Sequence, residues 1–210
     1  LLVAILLLCV ALPAAAYVYL YVAPKGPELT PVTVTTAGKS SFVMRAHDGT
    51  QTRTIRVWTY RPVAWTPGQP VLVVMHGMGR NGEDYLDTWT GAADQKNLLL
   101  IAPEFDNAFS RFVTNDYQEG NLFTAYGGAN PPEEWAFATV ERTIDYLNSA
   151  NGWEIDGYDM FGHSAGGQFV QRMVMLAPSS RLRTGIAANA GSYTFPDSSV
   201  AFPYGLKRVD

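Results

Sequence analysis

Residues 159–168 read Asp-Met-Phe-Gly-His-Ser-Ala-Gly-Gly-Gln, three glycines and an alanine gathered round Ser164. An apolar run, residues 158–161, precedes them with strand character, and residues 168–176 follow with helix character. A G-x-S-x-G match is weak alone, but a strand before it and a helix after it make it a turn sharp enough to lift the serine above a sheet. Gly162 and Gly166 lack a Cβ, so neighbouring backbone can approach the strained Ser164 closely. Ala165 is small for the same reason, and its amide, at the start of the helix, is an orphan donor able to meet developing negative charge.

Outward from this turn, strand and helix patterns alternate. Residues 52–60 alternate apolar and polar side chains and read as a strand. VLVVM at 71–75 and LLLIA at 98–102 are short uninterrupted apolar runs, as expected of central strands covered on both faces, the second closed by Pro103. A helix is predicted from Pro131 to about Ser149, capped by Asn130, with Glu133 and Glu134 at its positive end and Asn151-Gly152 as its stop. Phe137, Val140, Ile144 and Leu147 form its apolar stripe. A last strand is read at 185–190. Strands joined by helical crossovers predict an α/β domain, a mostly parallel sheet with helices on both faces.

The second informative stretch is VLVVMHGMGRNGEDY. An apolar strand runs into His76-Gly77-Met78-Gly79, where the two glycines free the Met78 amide to turn towards Ser164. Met78 and Ala165 are then the predicted pair of main-chain donors of an oxyanion hole, with His76 supporting the loop and His163 the elbow. With these motifs the chain resembles the α/β-hydrolase superfamily of serine esterases. HGMGRNGEDY, FGHSAGGQFVQRM and AANAGSYTFPD are similar to its polyhydroxybutyrate depolymerase-like branch, over roughly residues 55–206. The resemblance implies attack by Ser164 on a carboxylic ester, polymeric or small, through an acyl-enzyme, with no cofactor and no metal.

In that family an acid and then a histidine follow the serine, and serine needs both to be a nucleophile. Here His47, His76 and His163 all precede Ser164. His47 reads as an exposed turn residue. Asp197 sits in a turn context and Asp210 is the last residue, so neither recommends itself as the acid. The expectation is a chain cut at both ends, its acid and histidine on strands beyond residue 210. The fragment itself would be inactive, with an exposed sheet edge. The alternative is an α/β-hydrolase-like binding protein that has lost its histidine.

Three segments are expected: residues 1–23 a signal peptide or membrane anchor, 24–40 a Pro/Thr/Gly-rich linker, and 41–210 the partial hydrolase domain. Residues 1–23 hold no charge, and about 20 apolar residues suffice to span a bilayer, so export or membrane attachment follows. Net charge is −4, which leaves no basic footprint for nucleic acid. The single cysteine, Cys9, permits no intrachain disulfide. Glu133 and Glu134 are adjacent at a helix start and read as dipole partners, not a glycosidase pair. The aromatic, Asn/Gly-rich stretch 105–132 either walls the substrate cleft or packs at the surface. Tyr85, Trp89 and Trp135 are read as core or rim residues.

Overall fold

The computed structural model describes residues 2–17, 26–31, 36–46, 53–108, 112–124 and 126–209, with side chains from Val10 onward. His47, Asp210, the Cys9 side chain and part of the expected linker lie outside the described residues.

Six strands form one sheet: β1 (Gly38–Arg45), β2 (Thr54–Arg61), β3 (Val71–Met75), β4 (Leu99–Glu104), β5 (Tyr158–His163) and β6 (Leu182–Ala188). Their order is β1-β2-β4-β3-β5-β6. β2 runs antiparallel to both neighbours, while β4, β3, β5 and β6 run parallel. This is the mostly parallel sheet expected.

β3 explains why its sequence is continuously apolar. Val71, Val73 and Met75 enter one core, and Leu72 and Val74 the other, because successive residues of a strand face opposite sides. The first core is covered by α3 (Ala136–Asn151) and α4 (Ala165–Leu176), the second by α2 (Gly82–Lys96). Helices therefore lie on both faces. The α3 stripe is as read, with Phe137, Val140, Ile144 and Leu147 all buried, each contributing on the order of 2 kcal/mol.

Four local readings are corrected. The predicted helix from Pro131 is instead a 3-10 turn, Pro132–Glu134, broken from α3 by extended Trp135. Asn130 does not cap it; its amide donates to Asn121 O and Oδ1. Gly152 does end α3, left-handed at φ 64°. β4 continues through Pro103, because its ladder with β3 stops at Ile101 and only β2 pairs there. Finally, the stretch 105–132 is not surface packing as a whole: Phe105, Phe112, Tyr117 and Leu122 are buried in the core, while Asn115, Glu119, Phe123 and Thr124 line a cavity of about 260 Å³.

α1 (Leu2–Tyr17) is apolar throughout, with Pro13 inside it. No helix among the described residues is long and apolar enough to cross a membrane. At the far end, β6 pairs only with β5 among the described strands, and its middle residues are exposed, Ile186 included.

Candidate active site

The parallel register places Met75 beside Gly162, and Gly162 beside Ala187. The carboxyl ends of β3, β5 and β6 are therefore level, and the chain leaves β5 directly into α4 through one residue, Ser164. That residue has φ 56° and ψ −114°, a conformation sparsely allowed to an L-residue and costing about 1–3 kcal/mol. Its N–H donates to Ala188 O at 3.0 Å, and its carbonyl accepts from Gln168 N–H at 3.1 Å. These two bonds hold the strained backbone between β6 and the first turn of α4.

The flanking glycines are required by contact. A Cβ on Gly162 would lie 2.2 Å from Gly166 O, and one on Gly166 would lie 2.2 Å from Met75 O. Both obstacles are backbone, so neither can swing aside. Ala165 is fully buried at the first position of α4. Ser164 is partly exposed, and among the described residues no side chain hydrogen-bonds its hydroxyl.

Met75 leads into the second half of the site. Arg80 N–H donates to Gly77 O at 3.2 Å, closing a turn over Gly77, Met78, Gly79 and Arg80. His76 is wholly buried. Its Nε2 lies 2.9 Å from the Phe105 amide, which must donate, so Nε2 is unprotonated. The hydrogen is then on Nδ1, which donates to Gly77 O at 2.9 Å. Burial is the main cause that pushes the imidazole pKa down to about 4, so His76 is neutral at ordinary pH. The Gly77 carbonyl is thus held by two donors. Across a trans peptide the N–H points opposite to the C=O, so the Met78 amide faces away from both His76 and Arg80. It has no acceptor among the described residues. The loop lies against the elbow: a Cβ on Gly77 would sit 3.8 Å from His163 O.

The aromatic floor completes the loop's support. Tyr117 donates to His76 O at 2.7 Å and lies over the His76 ring, centroids 4.5 Å apart. His163 points to α2, its Nδ1 3.0 Å from Tyr85 Oη. Tyr85 and His163, with Trp89 and Phe161, line a hollow of about 480 Å³. Neither described histidine ring hydrogen-bonds the Ser164 hydroxyl. Asp197 is exposed and accepts from Ser199 N–H and Oγ. Those bonds hold its carboxyl below the usual range, a turn residue as expected.

The chain is similar in fold and sequence to two solved structures. The chain is 38% identical to poly(aspartic acid) hydrolase-1 from Sphingomonas sp. KT-1, with a TM-score of 0.75, over 81% of this chain and 63% of that one. It is equally identical, 38%, to LpqC, poly(3-hydroxybutyrate) depolymerase from Bordetella parapertussis, with a TM-score of 0.77, over 81% of this chain and 58% of that one. The chain belongs to the α/β-hydrolase superfamily. It spans about three fifths of the length of these two relatives. No protein-family model matches it, and no curated protein does.

Sequence reading missed four residues of this α/β-hydrolase site's surroundings: Tyr85 as partner of His163, and Arg80, Gln118 and Arg172. Arg172 is fully buried on α4 and donates to Thr194 Oγ1, Gln118 O, Gln168 Oε1, Ser192 Oγ and Pro203 O. Its signal was legible. It stands beside Met173 and three residues after Phe169, on the buried stripe of α4, where a cation is out of pattern.

Proposed function

We propose that this chain carries the nucleophile and oxyanion hole of a serine hydrolase that cleaves carboxylic esters, polymeric or small. The observation that carries the reading is Ser164: strained, partly exposed, without a partner for its hydroxyl among the described residues, at the carboxyl end of a central parallel strand. Its Oγ attacks the carbonyl carbon while a base takes the proton, and the carbonyl electron pair moves onto oxygen. The Met78 and Ala165 amides receive that charge, each donor worth about 3 kcal/mol of barrier. Collapse re-forms the carbonyl and breaks the ester C–O bond, the departing alcohol taking the proton. Water repeats the attack, releasing the acid and free Ser164.

The base is not His76, whose two nitrogens are both engaged, and His163 is turned to Tyr85. We place base and acid in sequence following Asp210, in the order usual for the fold. The engagement of both histidines is also what favours the second reading, a binding protein without catalysis. The names of the two relatives are those of hydrolases of poly(aspartic acid) and poly(3-hydroxybutyrate), which supports a hydrolytic role here.

The test uses the full-length gene product. A fluorophosphonate is expected to label Ser164, and Ser164→Ala is expected to lower ester hydrolysis at least about 10³-fold. The same variant removes no hydrogen bond of the hydroxyl, so its unfolding free energy should stay within about 0.5 kcal/mol. A folded, full-length protein that takes no label would refute the hydrolase and favour the binding protein. The uncharged N-terminal segment is proposed to export or anchor the protein. Recovery of the full-length product in the soluble cytoplasmic fraction would overturn that.

A further inference from the structure

Arg80 brings together three unfavourable features. It is not glycine, yet its φ is 56°. It is buried to 7% exposure, and that burial pulls its pKa down. Its Nε and Nη1 have no hydrogen-bond partner among the described residues. A buried guanidinium with donors unused is expensive, because desolvation is not offset. The compensation present is partial: Nη2 donates to Gln118 Oε1 at 3.2 Å, the group lies 4.5 Å from the Tyr117 ring centroid, and the Asp106 and Asp116 carboxylates favour the cation without contacting it. No carboxylate forms an ion pair with it among the described residues. The turn does not require the side chain either, since the bond that closes it is made by the Arg80 backbone N–H, and glycine tolerates that φ better. Local rules broken together without structural return mark functional positions.

The position is two residues beyond Met78, and the clusters are joined. Gln118, which accepts from Arg80, also donates to Met78 Sδ at 3.3 Å. Met78 is 57% exposed, and its unbranched side chain, held here only through Gln118 among the described residues, can adopt other positions.

We propose that Arg80 is an anion-recognition residue, which takes a carboxylate carried by the substrate once the Met78 side chain swings aside. The favoured substrate class is then an ester whose acyl part ends in a free carboxylate, a half-ester of a dicarboxylic acid. The proposal rests on the ester-hydrolase reading for where the scissile carbonyl sits. Anion binding itself does not require turnover.

The experiment has two arms, both on the full-length product. The first compares kcat/KM for 4-nitrophenyl hydrogen adipate and its neutral methyl ester. Wild type is expected to prefer the anion about ten- to hundredfold, the range of one charge-assisted bond, and Arg80→Gln to bring the ratio within about twofold of unity. Arg80→Lys, which keeps the charge without the fork, should retain part of the preference. The second arm titrates monomethyl adipate and dimethyl adipate into Ser164→Ala by calorimetry. Binding is expected for the monoanion only, and it should vanish when Arg80→Gln is added. Arg80-dependent binding without hydrolysis of either ester would sustain the anion site and sink the hydrolase. Equal use of both esters by wild type overturns the proposal. So does an Arg80→Gln variant that lowers both esters alike together with thermal stability, which would make Arg80 a structural brace. Absence of monoanion binding to wild type or to folded Ser164→Ala overturns it too.

Discussion

Protonating His76 should unlock the loop that carries the Met78 amide, and the size of the effect follows from its burial. In the folded chain Nε2 accepts from Phe105 N–H. A proton there would set donor against donor in a site closed to water, leaving the Phe105 amide unpaired. In the unfolded chain the imidazole titrates at its ordinary value of 6.5, and in the folded chain at about 4. Between those values the unfolded state binds a proton that the folded state refuses. Stability from this group is therefore fully present above pH 6.5, falls with pH, and is exhausted below about 4. At 1.36 kcal/mol per pH unit, the loss between pH 7 and pH 4 is about 3 kcal/mol.

Carboxylates also titrate in that window, so the readout must be a difference. His76→Gln keeps one acceptor and one donor at similar reach but does not titrate. Urea unfolding followed by tryptophan fluorescence, for both proteins at pH 7, 5.5 and 4, isolates the histidine. Wild type should be the more stable at pH 7, and its advantage should shrink by about 3 kcal/mol at pH 4. If the two stability profiles run parallel to within about 1 kcal/mol, His76 is not the buried neutral brace described.

Two further substitutions probe the packing round Ser164. Gly166→Ala would drive a Cβ to 2.2 Å from Met75 O, so a loss of at least about 3 kcal/mol, at the top of the overpacking range, is expected in thermal or urea unfolding. Wild-type stability in that variant would mean that α4 does not sit so close to β3. Arg172→Met removes a side chain serving five acceptors and leaves several of them buried, for a loss of about 3 kcal/mol. A neutral outcome by the same measurement would show that residues 192–203 hold their place without it.

The parts of this molecule readable in advance are those whose physics is local. β3 is legible because a strand covered on both faces must be apolar at every position, and 71–75 matches the observed element residue for residue. The elbow is legible because close backbone approach excludes Cβ atoms, which leaves glycine as the visible trace. By contrast α2 went unread. Its buried residues are only Gly82, Leu86 and Ala93, too few for a clear stripe, and its first amide is satisfied from afar, Gly82 N–H donating to Glu104 Oε2 at 2.9 Å. β1 went unread at 38–45 because its first half, Gly-Lys-Ser-Ser, is polar and is made a strand by pairing with β2. Asn130 had the chemistry of a cap and used it on Asn121, since the chain bends through Trp135 before α3 begins.

The site divides along the same line. Ser164, Gly162 and Gly166 announce themselves in a five-residue window, whereas the residues that make the Met78 amide available are scattered through the sequence. Tyr117 and Phe105 meet His76 from 41 and 29 residues away, and nothing in HGMG shows which ring nitrogen carries the hydrogen. That assignment decides the geometry. With Nδ1 protonated, His76 and Arg80 both hold the Gly77 carbonyl on one side, and planarity turns the Met78 N–H to the other. With the proton on Nε2 instead, the Phe105 amide would lose its acceptor and the carbonyl one of its two donors, and the peptide could rotate. The HGMG loop is therefore held by a neutral histidine on an aromatic floor as much as by its glycines, and this is why the pH profile of His76 is the more searching test of it.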